Sequence, residues 1–181
     1  ARWGLMRNAL PENIQEHSHM VAVLAHALGV IRRDIFHEPC DVNALATAAL
    51  YHDASEILTG DLPTPIKYHN AEIMSAYHAV EDLAVQKLLG MLPPELRATY
   101  ADVLAEDKGG DIYPLVKAAD KLSAYIKCIE ERKAGNNEFL SAEAQTRAAL
   151  EASPLPEVQY FLEHFIPAFE RDLDELGAIG Q

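Results

Sequence analysis

The chain has 181 residues, of which 49% are hydrophobic and 24% are charged, and its formal net charge is -13 at pH 7. This length fits one domain spanning residues 1–181. The sequence contains no run of 18 apolar residues, which a membrane-spanning helix would need. The acidic balance excludes a protein that binds a nucleic-acid polymer by neutralising its phosphates, because such binding depends on Lys and Arg. A small anion could bind only with help from a metal ion or a few local cations.

Helical patterns run through the first half of the sequence. Apolar residues recur with a period of about 3.6 residues, and the helices predicted from this period span residues 13–33, 41–58 and 70–91. Asp41 or Asn43 is the expected N-cap of the second helix, and Gly60 is its expected stop. Pro93 and Pro94 close the third helix, because proline cannot continue one.

The second half of the sequence continues the helical pattern. The predicted helices span residues 94–104, 112–134, 139–151 and 157–176, with a polar loop through Gly110 between the first two. Gly135 is expected to end the second of these helices, and Pro167 is expected to kink the last one. Because an alternating strand pattern is absent from the sequence, we predict an all-α fold.

The last predicted helix carries an apolar stripe that could face the core of the chain or a second subunit. Its members are Val158, Phe161, Leu162, Phe165, Phe169 and Leu173. We expect the stripe to face the core, because amphipathic helices usually bury such a stripe within their own domain.

The segment YHDASEILTGDLPTP, residues 51–65, places an imidazole beside two carboxylates in apolar surroundings. On a regular helix, at about 100° per residue, His52 and Glu56 lie one turn apart and Asp53 lies between them in angle. A buried carboxylate needs a partner, because moving an unpaired charge out of water costs several kcal/mol. A divalent metal ion can serve the histidine and the aspartate together. For the dipeptide taken alone, a plain His–Asp hydrogen bond in a core is the commoner explanation.

Two further polar side chains fall on otherwise apolar helix faces. His17 lies seven residues before Leu24, an offset that returns it to within about 20° of the apolar stripe of its helix. Asp120 lies on a face of small and apolar residues, among them Ser123. Neither position suits a solvated side chain. One site shared with the His-Asp pair explains these positions better than separate irregularities in a core.

A set of two histidines and two aspartates offers nitrogen and oxygen ligands. Such a set suits a hard or borderline divalent ion such as Mn, Co, Fe, Mg or Zn. His19 and His26 point away from the apolar face of their helix, and the remaining histidines do not suggest a second cluster. The pattern therefore predicts one metal ion and not two.

The order His…His-Asp…Asp in an all-helical chain resembles the HD-domain metal-dependent phosphohydrolases. EHS, YHDASE and KAADKLSAY carry this resemblance. RWGLMRN, NIQEHS, EILTGDLPTPIKY and AGNNEF are similar to segments of the bacterial 5'-deoxynucleotidases within that superfamily. The resemblance covers nearly the whole chain and implies a single-domain helical bundle that removes phosphate from deoxyribonucleoside 5'-monophosphates. It also implies a homodimer and one divalent ion, commonly cobalt or manganese.

The resemblance implies a role for each matching position. The implied metal ligands are His17, His52, Asp53 and Asp120. Arg2 and Trp3 would hold and orient the phosphate, a task that suits a guanidinium because it can donate two parallel hydrogen bonds. The implied contacts to the substrate further include Asp61, Leu62, Pro63 and Thr64, beside the ligands His17, Asp53 and Asp120.

Two carboxylates are candidates for acid–base catalysis. Glu56 lies near the implied ligands without belonging to them, and Asp61 follows Gly60 in the loop. Either could act as acid or as base. The alternatives without catalysis are a helix-surface glutamate and an ordinary turn aspartate.

Other functions stay open from the sequence. Related HD-domain enzymes hydrolyse cyclic nucleotides, ppGpp or dNTPs, and a non-catalytic nucleotide sensor or a metal-stabilised scaffold is an alternative of another class. A binuclear phosphodiesterase would need additional histidine ligands, and a triphosphohydrolase would need more cations around its longer anion. The sequence pattern offers neither.

The cysteine content bears on the compartment. Cys40 and Cys128 are too few for a disulfide framework, and we expect both to be reduced thiols. A signal peptide is not visible in the sequence as it begins at Ala1. These features predict a cytoplasmic protein.

Overall fold

The computed structural model describes residues 2–62, 70–104 and 110–172. These residues form helices joined by turns and loops, which confirms the predicted all-α fold. The helices are α1 (Ile14–Asp34), α2 (Val42–Tyr51), α3 (Glu56–Thr59), α4 (Ala71–Gly90), α5 (Arg97–Leu104), α6 (Tyr113–Lys133), α7 (Leu140–Glu151), α8 (Pro156–His164) and α9 (Ile166–Glu170). Short 3-10 helices, Pro94–Leu96 and Asn137–Phe139, lead into α5 and α7. Within the described helices, none is both long and apolar enough to cross a membrane.

Side-chain caps fix the starts of α1, α2 and α4. Asn13 and Glu16 form a reciprocal capping box at α1, with both hydrogen bonds at 3.0 Å. Asp41 accepts the Ala44 N–H at 3.0 Å ahead of α2, so Asp41 is the N-cap and the alternative cap is not used. Asn70 caps α4 in the same way. Each cap satisfies backbone donors that a helix start leaves without a partner.

The core lies where α1 packs against α2 and α6, and α2 also contacts α6. Gly29 permits the close approach of α1 to α2, because a Cβ at this position would lie 3.0 Å from the Leu45 side chain. Fully buried core residues from the three helices include Val21, Leu28, Leu45, Leu122, Ile126 and Ile129. Helices from distant parts of the chain are therefore held side by side, and polar residues on them can meet.

The second predicted helix is interrupted, so the expectation for residues 41–58 is wrong. α2 ends at Tyr51, and residues 52–55 form a turn before α3 begins at Glu56. Hydrogen bonds of shorter span replace the regular ladder there, as when the Glu56 N–H donates to the Asp53 carbonyl at 3.0 Å. The helical geometry that placed Glu56 one turn from the histidine therefore does not apply.

The last predicted helix is also interrupted. α8 ends at His164, and α9 spans only Ile166–Glu170. The break agrees with the expected effect of Pro167, which lacks a backbone donor and crowds the carbonyl four residues earlier. The members of the apolar stripe that pack on the core are Val158, Phe161, Leu162 and Phe169. Phe165 is 43% exposed, against the expectation, and Leu173 lies outside the described residues.

Candidate metal centre

Packed helices bring together four side chains that the sequence singled out. His17 lies in the first turn of α1 and is fully buried. His52 and Asp53 lie in the turn directly after α2, and Asp120 lies on α6. Because α1 contacts both α2 and α6, these side chains converge although they are far apart in sequence.

The four side chains form a compact cluster, called the His–Asp cluster below. Nε2 of His17 lies 3.1 Å from Oδ1 of Asp120 and 3.4 Å from Oδ2 of Asp53. Nε2 of His52 lies 3.2 Å from the same Oδ2 of Asp53 and 4.0 Å from Oδ1 of Asp120. Each imidazole therefore presents one nitrogen to both carboxylates.

The other nitrogen of each imidazole makes a contact outside the cluster. Nδ1 of His52 must be the donor to the Ala49 carbonyl, 2.6 Å away, because a carbonyl can only accept. Nδ1 of His17 lies 3.2 Å from the hydroxyl oxygen of Ser123. These contacts direct both Nε2 atoms into the cluster, where neither has a hydrogen-bond partner of suitable geometry among the described residues. Contacts of this kind commonly orient metal-binding histidines.

The charges of the cluster shift its pKa values in opposite directions. Burial disfavours a charged imidazole, yet the carboxylates of Asp120 and Asp53 raise the pKa of His17 to about 9. Burial also disfavours ionised carboxylates, but the two imidazoles hold the pKa of Asp53 well below its usual range. Against the effect of burial, His17 and His52 likewise lower the pKa of Asp120. The cluster therefore attracts positive charge, whether protons or a cation.

The donor set fits a divalent cation. Lone pairs on a neutral imidazole nitrogen and on a carboxylate oxygen repel each other at these distances unless a proton or a metal ion lies between them. Ligand atoms about 2.1 Å from one ion lie about 3 to 4 Å apart, which matches the spacing within the cluster. His17, His52 and Asp120 each offer a ligand atom within 4.8 Å of the others, and Asp53 borders both imidazoles.

Arg2 lies beside the His–Asp cluster and is held by two carboxylates. Its Nε donates to Oε2 of Glu12 at 3.1 Å, and its Nη1 donates to Oδ2 of Asp53 at 3.2 Å. Its backbone N–H also donates to the Glu12 carbonyl at 2.9 Å. Burial disfavours the charged guanidinium, but the surrounding carboxylates, Asp53 foremost and then Asp120, Asp61 and Glu12, raise the pKa of Arg2. The structure therefore places a fixed cation next to the predicted metal ligands.

Trp3 and Glu56 are both integrated into the folded chain. Trp3 follows Arg2 and packs its ring against Phe139, with the ring centroids 5.2 Å apart. Glu56 is buried at the start of α3, so the alternative of an exposed helix-surface glutamate does not apply to it.

The loop after α3 carries the remaining predicted contacts to the substrate. Asp61 and Leu62 are half-buried. The charge of Asp61 helps to raise the pKa of Arg2, so this carboxylate lies near enough to act on the charge of the guanidinium. Pro63 and Thr64 lie outside the described residues.

The side chains of Ser123 and Glu12 contact site residues and were not among the predicted ones. Ser123 orients His17, and its position three residues after Asp120 on α6 is a signal that could have been used. Glu12 anchors Arg2 through two hydrogen bonds. The sequence gives no signal for this contact, because it depends on how the segment before α1 folds back.

A family model described as 5'-deoxynucleotidase YfbR-like matches residues 1–169 of the chain. The chain belongs to the YfbR-like family. This match confirms the resemblance that the sequence motifs indicated, and the matched span contains every predicted site residue. The predicted membership in a group of metal-dependent hydrolases is thus consistent with a cluster that could hold a metal ion.

Relatives and a solved structure support the same assignment. The chain is 51% identical to the 5'-deoxynucleotidase YfbR of Shigella boydii over 177 residues, which cover 97% of the chain and 89% of the relative. It is 50% identical, with the same coverage, to the 5'-deoxynucleotidase YfbR of Escherichia coli. A crystal structure of an HD-domain phosphohydrolase from Listeria innocua superposes with a TM-score of 0.82 at 25% identity, covering 93% of this chain and 82% of that one. The YfbR-like family member therefore has the HD-domain helical fold that the motifs implied.

Proposed function

We propose that the chain is a metal-dependent phosphatase that hydrolyses deoxyribonucleoside 5'-monophosphates to deoxynucleosides and phosphate. One observation carries the proposal: the buried Nε2 atoms of His17 and His52 face two carboxylates at distances of 3.1 to 4.0 Å. The family match and the names of the relatives support this reaction over the hydrolysis of cyclic nucleotides, ppGpp or dNTPs. The family match and the names of the relatives also do not favour a non-catalytic nucleotide sensor.

The residues proposed to hold one divalent cation are His17, His52, Asp53 and Asp120. Cobalt or manganese is the proposed ion, because the family resemblance implies one of them and mixed nitrogen and oxygen donors can hold either. When bound, the cation supplies Lewis-acid activation of the phosphoryl group and of the attacking water. Asp53 also links the proposed metal site to Arg2, since its Oδ2 faces both imidazoles and the guanidinium of Arg2.

Arg2 and Trp3 are proposed to hold and orient the phosphate. A guanidinium has five N–H donors, so the bonds from Arg2 to Glu12 and Asp53 do not exhaust it. In a chain with a net charge of -13, a phosphate needs such a local cation near the metal ion. Trp3 supports this arrangement, because its packing on Phe139 fixes the backbone next to Arg2.

Glu56 and Asp61 are proposed to carry the acid–base catalysis, without a division of the two roles between them. Glu56 is buried three residues after Asp53, and Asp61 is close enough to act on the charge of Arg2. One of these carboxyls would protonate the departing 5' oxygen, and the other would accept a proton from the attacking water. Asp61, Leu62, Pro63 and Thr64 are further proposed to line the sugar and phosphate.

A phosphate-release assay tests the proposed reaction. The chain is stripped of metal with EDTA, supplied with MnCl2 or CoCl2, and given dAMP, AMP or dATP. We expect phosphate from dAMP only when metal is present, and little from AMP or dATP. Two results with metal bound would contradict the proposal: release of phosphate from dATP, or failure to release phosphate from both dAMP and AMP.

We also propose that the chain forms a homodimer through a surface on α3 and α4. These helices contact each other, and they expose apolar side chains: Ile57 is 69% exposed, Leu83 is 64% exposed and Val80 is 48% exposed. Val80 and Leu83 are three residues apart and therefore neighbours on α4, and exposed large apolar side chains can mark an interface between subunits. A second copy is the proposed partner because family resemblance implies a homodimer.

A cytoplasmic location is a further proposal. Both cysteines are free thiols, Cys128 buried and Cys40 half-buried. Burial raises the pKa of Cys128 to about 12, so this thiol stays protonated and unreactive. Unpaired cysteines of this kind are usual in the reducing cytoplasm.

A further inference from the structure

The segment AGNNEF, residues 134–139, contributes nothing to the His–Asp cluster, yet it contacts the N-terminal segment that carries Arg2. It follows α6, whose first half holds Asp120. The same helix therefore links the predicted metal site to a second group of polar contacts at its other end.

The end of α6 turns this segment back toward the helix. The Asn136 N–H donates to the Glu131 carbonyl and the Gly135 N–H donates to the Arg132 carbonyl, both at 2.9 Å. This pattern is a Schellman motif, and it requires the left-handed backbone that Gly135 adopts, with φ 84°. The turn places the Asn136 side chain beside Glu131.

Glu131 is a fully buried carboxylate that binds the N-terminal segment. Its two oxygens accept the backbone N–H groups of Ala9 at 2.8 Å and Leu10 at 3.0 Å. Lys127, also buried, donates to Glu131 at 2.5 Å and to the Leu10 carbonyl. A buried ion pair whose two groups both bond to the same segment of backbone fixes that segment in a single position.

Asn136 extends the same set of contacts toward the start of the chain. Its side-chain amide donates to Oε2 of Glu131 at 2.8 Å and to the Arg7 carbonyl at 2.6 Å. Its side-chain oxygen accepts the Glu138 N–H at 3.1 Å, and a Glu138 oxygen accepts the Arg7 N–H at 3.0 Å. The polar contacts thus follow the N-terminal segment from Leu10 back to Arg7.

The contacts end at Trp3, which directly follows Arg2. Phe139 packs on the Trp3 ring, and the Lys127 ammonium lies 5.7 Å from the centroid of the Phe139 ring. The backbone of Trp3 has φ 58°, a left-handed conformation that a bulky residue keeps only when its surroundings hold it there. The Trp3 carbonyl accepts the Met6 N–H at 2.9 Å, and this turn together with the packing on Phe139 supports that conformation.

We propose that Lys127, Glu131 and Asn136 form a clamp that positions Arg2 and Trp3 for the substrate phosphate. This proposal rests on the proposed function, since it assumes that Arg2 and Trp3 hold the phosphate. The three residues are positioning residues: they touch neither the His–Asp cluster nor the guanidinium, and they act through the N-terminal segment. Loss of the clamp weakens catalysis while it leaves the metal ligands in place.

The test is the substitution Asn136→Asp, with Asn137→Asp as the matched control. Asn136→Asp keeps the oxygen that caps the 3-10 helix, but it sets a carboxylate against Glu131 and the Arg7 carbonyl, which breaks the clamp. Asn137→Asp makes the same chemical change at the next residue, which is exposed. Asn136→Ser is a second, uncharged variant that tests the same contacts if the aspartate prevents folding.

Fluorescence of Trp3 reports on the clamp directly, because Trp3 is the one tryptophan of the chain. We expect acrylamide to quench this fluorescence more strongly in Asn136→Asp and Asn136→Ser than in the wild-type chain or in Asn137→Asp. Equal quenching in all four proteins would overturn the proposal.

Kinetics below the unfolding temperature separate positioning from plain stability. With Mn²⁺ saturating, kcat/KM for dAMP is expected to fall about tenfold or more in the Asn136 variants, because small misplacements of a binding group can cost up to about a hundredfold. The dissociation constant for Mn²⁺, measured by titration calorimetry, is expected not to rise more than about twofold above the wild-type value, because the metal ligands stay in place. A lower Tm with unchanged kcat/KM would overturn the clamp as a positioning device.

The two proposals fail in different ways. If the wild-type chain with metal releases no phosphate from dAMP, the proposed function fails, whereas the fluorescence result still reports on the clamp. If dAMP is hydrolysed but the Asn136 variants match Asn137→Asp in quenching and in kcat/KM, only the clamp fails.

Discussion

At the scale of single residues, the Oδ2 atom of Asp53 is the point where the site converges. It lies 3.2 to 3.4 Å from Nε2 of His17, Nε2 of His52 and Nη1 of Arg2. The same oxygen is therefore shared between the proposed metal ion and the proposed phosphate ligand. A change at Arg2 should affect metal binding and catalysis in opposite directions, because the guanidinium is a cation beside a cation site.

We predict that Arg2→Met tightens Mn²⁺ binding while it weakens catalysis. Removal of a positive charge near the His–Asp cluster should lower the dissociation constant for Mn²⁺ by about three- to tenfold. The repulsion between such a charge and the cation is on the order of 1 kcal/mol. The KM for dAMP should rise, because the phosphate loses its guanidinium. Titration calorimetry and steady-state kinetics measure the two effects.

Arg7→Met is the matched control for this substitution. Arg7 lies in the same segment, but its side chain is 92% exposed and its contact to Glu138 is 3.7 Å long. It should change neither Mn²⁺ binding nor KM appreciably. Weaker Mn²⁺ binding in Arg2→Met would contradict the proposed position of the cation.

A second residue-scale prediction concerns the acid stability that Glu131 confers. Burial raises the pKa of a carboxyl, but hydrogen bonds from Lys127, Leu10, Asn136 and Ala9 outweigh it and lower the pKa of Glu131 to about 2 from an ordinary value of 4.5. Because the folded-state pKa is the lower one, ionised Glu131 stabilises the fold above pH 4.5, and this stabilisation is lost as the pH falls toward 2.

Urea unfolding of the wild-type chain and of Glu131→Gln at several pH values measures this effect. The difference in the free energy of unfolding between the two should be largest above pH 4.5 and should shrink toward pH 2. Glu163→Gln removes the same charge from a side chain that is 77% exposed and controls for net charge. A difference that stays constant over this pH range would show that the ionised carboxylate does not stabilise the fold.

At the scale of secondary structure, α6 supplies both the metal site and the proposed clamp. Asp120 and Ser123 lie in its first half, and Lys127 and Glu131 lie in its second half. The helix must therefore end at a defined residue, because the Schellman motif aims Asn136 at the N-terminal segment.

We predict that Gly135→Ala destabilises the chain by about 1 to 2 kcal/mol, the cost of a left-handed backbone for a residue with a Cβ. A Cβ at Gly135 meets no atom within 4 Å, so the φ of 84° is the whole reason for the effect. Gly90→Ala is the control, because Gly90 ends α4 without a positive φ and also has open space around it. Thermal unfolding compares the two, and equal Tm values would contradict this explanation.

The sequence predicted helices where periodicity and capping residues agree, and it failed at the turn that divides the second predicted helix. The starts at Asn13, Asp41 and Asn70 carry side chains that cap a helix locally, so they could be read directly. The turn at residues 52–55 has no glycine or proline and keeps an apolar pattern on both sides. Nothing in this residue pattern signals the contact of the His52 Nδ1 with the Ala49 carbonyl at 2.6 Å.

At the scale of the whole molecule, the His–Asp cluster could be predicted from the sequence because His17 and Asp120 break the patterns of their helices and His52 and Asp53 stand side by side in an apolar segment. His17 and Asp120 are polar residues on apolar faces, and α1 and α6 pack as those faces require. Glu12 belongs to no helix, and Lys127 and Glu131 bind backbone groups of an irregular segment, which the pattern of their own helix does not predict. Only the structure brings that segment to them.

We predict that Leu83→Asp converts the proposed dimer to a monomer. Leu83 is 64% exposed on α4, and a buried aspartate without a partner would cost several kcal/mol at an interface. Light scattering coupled to gel filtration measures the mass, and Glu163→Gln on α8 serves as a control away from this surface. A monomeric wild-type chain, or a dimer that Leu83→Asp leaves intact, would contradict the proposed interface.

The location of the metal ion tests the central claim most directly. Crystals of the chain soaked in MnCl2 should give one strong anomalous peak among Nε2 of His17, Nε2 of His52 and carboxylate oxygens of Asp53 and Asp120, and the peak should be lost in crystals of His52→Ala. A chain that hydrolyses dAMP with Mn²⁺ but gives no peak there, or gives its peak at other residues, would contradict this account.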